Sequence, residues 1–191
     1  MKNQNKKKKI RIISGYLKGQ IIQTINNNNL RPTLHRIRET LFNWLILNIK
    51  DSYCLDCFSG SGALGIESIS RYASYVTCLE SNKNIIKNLR KNIYRLQINN
   101  INIIHTDALI WLKKNTIKYN IIFLDPPYQK YELQKIIFLL HKTNIIKYPG
   151  YVYIEQSKYK SNNIQYPKNW NLFKQKFTKK IHYKLYMVNK Y

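Results

Sequence analysis

From Ser52 onward, short apolar runs alternate with longer stretches in which apolar residues recur every three or four positions. That alternation is the pattern of repeated βα units laid into a parallel sheet. Residues 53–58 read as the first strand of this part, followed by a glycine-rich turn and a helix to about residue 72. Residues 75–79 form the next strand and 82–96 the next helix, with Ile85, Ile86, Leu89, Ile93 and Leu96 at helical spacing. Residues 101–105 and 119–124 follow as strands, separated by a short helix over 108–113, and a helix over 132–142 leads into a fifth strand at 150–155. The apolar runs at 170–177 and 181–188, joined by a short basic turn, predict an antiparallel hairpin at the sheet edge. The expected fold class is therefore α/β and Rossmann-like: a mostly parallel seven-stranded sheet with an antiparallel C-terminal hairpin.

Ahead of this core, residues 10–13 and 20–22 flank a turn holding Gly15 and Gly19, which predicts a small hairpin. After a polar loop, Thr33 can cap a helix whose Leu34, Ile37, Leu41, Trp44 and Leu45 form one apolar stripe, with Arg36 and Arg38 on its other faces. The expected organisation is a basic tail over 1–9 without fixed structure, an N-terminal hairpin and helix over 10–50, and a core over 51–191.

Charge changes the picture. Lys and Arg number 33 against 9 acidic residues, a net charge of +24, which draws a protein toward polyanions such as RNA. Most of this excess is Lys spread through a chain also rich in Asn, Ile and Tyr, as a compositional drift would leave it. Arg is scarce, and its planar fork suits phosphate, so Arg31, Arg36 and Arg38 within eight residues carry more information. With Arg11 and Lys18 of the hairpin they are the candidate RNA contacts. Cys54 and Cys57 have C-x-x-C spacing, but His35, His105, His141 and His182 offer no paired spacing to complete a zinc site, so buried thiols and no metal are expected. The cysteine usage suggests a reducing cytoplasm, and no apolar run is long enough to imply a membrane partner.

Two motifs carry chemistry. Asp56-x-Phe58-x-Gly60-x-Gly62-x-x-Gly65 falls at a strand-to-helix turn, beyond the carboxyl end of the strand, where open parallel sheets bind ligands. Its glycine spacing also fits a dinucleotide loop, and Glu80 lies where an acid would hold ribose hydroxyls, so NAD and S-adenosylmethionine both remain open at this point. Asp56 favours S-adenosylmethionine, because an acid there suits a cationic methionine end and repels a diphosphate. Asp107 and Ala108 follow the third strand where the adenine ring would lie, and Asp107 is equally placed to cap a helix.

The second motif, Asp125-Pro126-Pro127-Tyr128, ends the fourth strand. An exocyclic amino nitrogen on guanine or adenine is a poor nucleophile because its lone pair is delocalised into the ring. Asp125 and the Pro126 carbonyl can each accept one N–H, favouring a pyramidal nitrogen, and Tyr128 offers a face on which the base stacks. Alone, this tetrapeptide could be an ordinary turn. Its position in the same sheet as the glycine-rich loop makes it a candidate catalytic segment.

Arg11-Ile12-Ile13-Ser14-Gly15, Leu30-Arg31-Pro32-Thr33 with Arg36-x-Arg38-Glu39-Thr40-Leu41-Phe42-Asn43-Trp44, the loop from Leu55 to Gly65, the Asp125–Tyr128 segment and Tyr153-Ile154-Glu155 together resemble the RsmD family of bacterial 16S rRNA guanine-N2 methyltransferases. The resemblance runs from about Arg11 to Tyr186, with departures at Ser14 and Gln20. It implies a class I methyltransferase fold, S-adenosylmethionine as donor, and a guanine of 16S rRNA as acceptor, in the 30S subunit or an assembly intermediate. A monomer is expected. Rival readings are an adenine-N6 or protein glutamine-N5 methyltransferase, a non-catalytic basic RNA-binding or assembly protein, and an NAD-dependent reductase.

Overall fold

The computed structural model describes residues 9–25, 35–127, 132–158 and 164–190. Two short strands, β1 (Lys9–Arg11) and β2 (Ile21–Gln23), pair antiparallel as the expected hairpin. After α1 (His35–Trp44) come β3 (Tyr53–Asp56), α2 (Ala63–Ser70), β4 (Tyr75–Glu80), α3 (Lys83–Arg95), β5 (Ile101–His105), α4 (Ala108–Leu112) and β6 (Tyr119–Leu124). Then follow α5 (Leu133–Thr143), β7 (Ile146–Ser157), β8 (Trp170–Phe177) and β9 (Ile181–Val188). The last seven strands form one sheet in the order β5-β4-β3-β6-β7-β9-β8. The first five run parallel; β9 lies antiparallel beside β7, and β8 forms the outer edge. This is the α/β fold class expected from the sequence.

Alternation along the strands divides the core between two faces. Cys54, Val76, Cys78, Ile121, Phe123 and Tyr153 pack with Leu41 of α1, Ile66 of α2 and Leu89 of α3. Leu55, Leu79, Ile122, Leu124 and Val152 pack on the other side with Leu112 of α4 and Ile137 of α5. Cys54 and Cys57 belong to opposite faces, so their spacing brings no pair of thiols together. All three cysteines are free and buried, and burial pushes the Cys54 thiol up to about 12. Among the described residues no cluster of His, Cys, Asp and Glu could hold a metal, and no helix is long and apolar enough to cross a membrane.

Most elements lie within about two residues of the expected bounds; in the main sheet β3 is two residues shorter than expected and β7 departs further. β3 stops at Asp56, because Cys57 makes a last bond to the Phe123 carbonyl (3.1 Å) before Ser59 turns to bond the Leu79 carbonyl (3.0 Å) on the other neighbouring strand. β7 begins at Ile146, earlier than Pro149 and Gly150 suggest: Ile146 pairs with Tyr119 and Tyr151 with Ile121, so the intervening residues are absorbed as a bulge opposite Asn120.

The N-terminal hairpin shares the main core rather than forming its own, with Ile10, Ile12, Leu17 and Ile22 packed among residues of α1 and α2. Its turn sits on the end of α2. Gly15 has φ +84°, and a Cβ there would lie 1.6 Å from the Ser70 carbonyl oxygen, so only glycine fits. Beneath the turn is Glu67, fully buried, whose carboxylate accepts the backbone N–H groups of Ile13 (2.9 Å) and Ser14 (3.1 Å) and the Nε of Arg71 (2.9 Å).

Arg38 completes this cluster and corrects one expectation. It does not join Arg36 on an outer face: it is 1% exposed, lies 3.7 Å from the Glu67 carboxylate, and donates to the Arg11 carbonyl (3.0 Å). The helical period explains the difference, since Arg38 precedes Phe42 and Leu45 by one and two turns and so lies on the buried arc. A candidate RNA contact is thus an internal strut between α1, the hairpin and α2. Arg11, Lys18 and Arg36 are exposed, and Arg31 lies outside the described residues.

Candidate active site

The acids of this chain are not scattered. Of nine, five stand at or just beyond the carboxyl ends of five adjacent parallel strands: Asp107 after β5, Glu80 on β4, Asp56 on β3, Asp125 after β6 and Glu155 on β7. In a chain of net charge +24 this makes one acidic rim, a potential that favours a cation and opposes a diphosphate.

Asp56 is 2% exposed, and its carboxyl accepts the backbone N–H groups of Phe58 and Gly65, bracing the loop from beneath. Burial pushes it up to about 7; those hydrogen bonds pull it down, and the nearby Glu80 charge adds to the rise. Glu80 ties the loop to the next helix, accepting Gly60 N–H at 3.0 Å with one oxygen and Asn82 N–H at 2.8 Å with the other. Each oxygen keeps a second lone pair for a hydroxyl. Asn82 caps α3, its side chain accepting from Asn84 and Ile85.

Two of the loop glycines answer to protein packing as well as to any ligand. Gly62 has φ +78°, and a Cβ there would meet Leu89 Cδ1 at 2.3 Å; at Gly65 it would meet Cys78 Sγ at 2.8 Å. Gly60 is half-buried and in the left-handed region, its N–H held by Glu80. Phe58 is half-buried against the α4–α5 side of the core. Asp107 caps α4 by accepting the Leu109 N–H (2.9 Å), and Ala108 is buried behind it.

Asp125 and Pro126 stand where the sequence puts them. Asp56 pairs with Phe123 across β3 and β6, so Asp125 lies two residues past the partner of Asp56. Asp125 is half-buried, Pro126 buried and Pro127 exposed, while Tyr128 lies outside the described residues. Behind them is a buried pair from the Tyr153-Ile154-Glu155 segment, which lies outside the two chemical motifs. Tyr153 donates its hydroxyl to a Glu155 oxygen at 3.1 Å, and its pKa is pushed well up by burial, then by the charges of Glu155 and Asp125. The Tyr-x-Glu alternation in β7, placing both side chains on one face, was the available signal.

A seven-stranded sheet in this order, with a glycine-rich first turn and an acidic rim, defines a class I methyltransferase fold. The profile of the family described as "Conserved hypothetical protein 95" matches residues 10–187. Relatives called ribosomal RNA small subunit methyltransferase D are 50% identical in Buchnera aphidicola from Baizongia pistaciae, over 98% of this chain and 96% of that one. In Escherichia coli K12 the identity is 38%, over 93% and 89%. Among solved structures, a candidate methyltransferase of Escherichia coli superposes with a TM-score of 0.88 at 35% identity, covering 96% of this chain and all of the other. A candidate methylase of Haemophilus influenzae gives 0.81 at 36%, with 96% of this chain and all of that one covered. The chain belongs to the RsmD family of methyltransferases.

Proposed function

We propose that this protein transfers a methyl group from S-adenosylmethionine to the exocyclic N2 amino group of a guanine in 16S rRNA, within the 30S subunit or an assembly intermediate. The observation that carries the proposal is the acidic rim, with Asp125 and Pro126 beside the loop braced by Asp56 and Glu80. The relatives' shared name supplies the class of acceptor.

The residues present fit this donor. Bound S-adenosylmethionine supplies an electrophilic methyl group on a sulfonium. Asp56 and the surrounding acids favour its cationic methionine end, Glu80 has acceptor capacity for the ribose, and Phe58, Gly60, Gly62, Gly65, Asp107 and Ala108 line the turns that would hold the rest. On the acceptor side, Asp125 and the Pro126 carbonyl each take one N–H of the guanine amino group, which localises the nitrogen lone pair. Tyr128 stacks on the base once it has left its own stack. Attack needs alignment more than chemical activation: the N–C bond forms as the S–C bond breaks, with S-adenosylhomocysteine as the leaving group, and the amine proton passes to water during or after transfer. Residues 10–50 act as an RNA-contacting extension through Arg11, Lys18, Arg31 and Arg36.

The test is mass mapping of methylated bases in 16S rRNA after incubating the protein and S-adenosylmethionine with 30S particles lacking the modification. The expected product is one N2-methylguanine. Methyl groups found only on adenine or on a ribosomal protein, or none at all, would overturn the proposal.

A further inference from the structure

Helix α3 has three faces with three different tasks. Ile85, Ile86 and Leu89 are buried, Leu89 in the main core. A second stripe grips the N-terminal hairpin: Asn88 and Asn92 donate to the Gln23 carbonyl at 2.7 and 2.8 Å, Asn92 accepts the Gln23 N–H at 2.9 Å, and Arg95 donates to the Ile21 carbonyl. The third stripe, Lys83, Lys87, Arg90, Lys91 and Tyr94, is exposed. Together with Ile86 and His105 it lines an open groove of about 670 Å³ beside the edge strand β5.

Drift toward Lys would not supply arginine, and between Glu80 and Asp107 the chain carries two of its scarce Arg residues, Arg90 and Arg95. Arg95 is used on the hairpin; Arg90 lines the groove. Tyr94 is 87% exposed at the end of the charged row, a position that costs hydration and gains nothing from the core. Lys83, Lys87 and Lys91 are each one helical turn apart, about 6 Å along the axis, comparable with the separation of successive phosphates on an RNA strand. A cationic row ending in an unburied aromatic ring is the arrangement that tracks a backbone and stacks an unpaired base.

We infer that the outer face of α3 is a second RNA-docking surface, which takes the phosphodiester backbone of a single-stranded rRNA segment away from the methylated base. The inference rests on the rRNA methyltransferase reading above. Because the hairpin is hydrogen-bonded to the adjacent stripe of the same helix, Arg11 and Lys18 are anchored to the element that carries the groove. The protein then holds its substrate at two places joined by one helix.

The experiment compares two triple variants. Lys87→Gln/Arg90→Gln/Lys91→Gln removes three of the four Lys and Arg charges of the groove; Lys113→Gln/Lys114→Gln/Lys142→Gln removes three exposed charges from the α4–α5 side of the sheet. Binding to protein-free 16S rRNA and to 30S particles is measured over a range of salt concentrations, with S-adenosylmethionine binding as the check on folding. The groove variant is expected to lose roughly tenfold or more in affinity at moderate salt, and its log–log salt slope to fall by about 2 to 3, while the control changes little. Tyr94→Ala should weaken binding with the slope unchanged. Equal losses in both triple variants would reduce the groove to general surface charge and overturn the inference. So would a loss seen with 30S particles but not with free rRNA, which would assign the face to a ribosomal protein. If the wild-type protein neither binds nor methylates 16S rRNA, the methyltransferase reading itself fails, an outcome distinct from a silent groove variant.

Discussion

Glu67 is where a single substitution should do most damage away from the chemistry. Its carboxylate is fully buried, accepts two backbone N–H groups of the hairpin turn and the Arg71 Nε, and faces the buried guanidinium of Arg38 at 3.7 Å. Glu67→Ala removes all four interactions at once and leaves the Arg38 charge buried without a counter-charge. Removing one partner of a buried ion pair costs about 3 to 5 kcal/mol, and each orphaned buried N–H about 1 to 3 kcal/mol. These overlap, since the hairpin can lift away and rehydrate its own amides, so a loss of about 4 kcal/mol is expected. Set against a typical domain stability of about 5 to 15 kcal/mol, that leaves a protein folded only marginally at 25 °C. Glu67→Gln keeps the shape and one acceptor oxygen and should lose less, about 3 kcal/mol. Arg38→Met removes the charge that Glu67 would otherwise leave unpaired, so the double variant Glu67→Gln/Arg38→Met should lose clearly less than the two single losses combined. Urea unfolding followed by tryptophan fluorescence measures each value, and hydrogen exchange at Ile13 and Ser14 reports undocking of the turn. A Glu67→Gln protein within about 0.5 kcal/mol of wild type, with protected amides at both positions, would refute the account.

Three further outcomes are expected. Asp125→Ala should lower methyl transfer by roughly a hundredfold or more while S-adenosylmethionine affinity stays near wild type; affinity falling in parallel with rate would move Asp125 to the donor side. Asp56, pushed up to about 7, should make cofactor affinity rise with pH through neutrality, because a cationic ligand favours the carboxylate and its binding expels the proton. The sign for stability is opposite: a carboxyl whose folded pKa is raised contributes fully below its unfolded value of about 3.9 and loses that contribution as pH rises through about 7. Asp56→Asn should therefore gain on wild type in thermal midpoint between pH 5 and 8 and lose the pH dependence of cofactor binding by calorimetry; parallel curves for both proteins would count against it. Gly62→Ala, which needs a left-handed φ of +78° and meets Leu89 Cδ1 at 2.3 Å, should destabilise by about 1 to 3 kcal/mol, read from the urea midpoint.

The sheet was legible because its signals are local. Apolar runs and the periodicity of α3 follow from which residues face the core, and the strands at Ile101–His105, Tyr119–Leu124, Trp170–Phe177 and Ile181–Val188 appear with the bounds expected of them. What was not legible depends on contacts between distant parts of the chain. The place of Arg38 on α1 follows from the helical period, but a buried arginine is tolerable only against Glu67, 29 residues away, and no local pattern announces that partner. The early start of β7 is similar, since Pro149 and Gly150 read as breakers until the bulge against β6 absorbs them.

The acids show how the site emerges from the same division. Asp56, Glu80, Asp107 and Asp125 can each be picked out by motif, and each has an ordinary local explanation: loop brace, helix link, helix cap, turn. Topology changes their meaning, because parallel strands end on one side, so acids that close successive strands must assemble into one rim. Glu155 joins the same rim from β7 without belonging to either motif, and its buried bond from Tyr153 stiffens the ground behind Asp125. With five of nine acids gathered there, the remaining surface is left almost uniformly basic. The proposed function makes opposite electrostatic demands, attraction of RNA and retention of a cationic donor, and the separation of charges in this fold suits both: the lysine and arginine faces favour a polyanion, and the acids at the strand ends favour a cation.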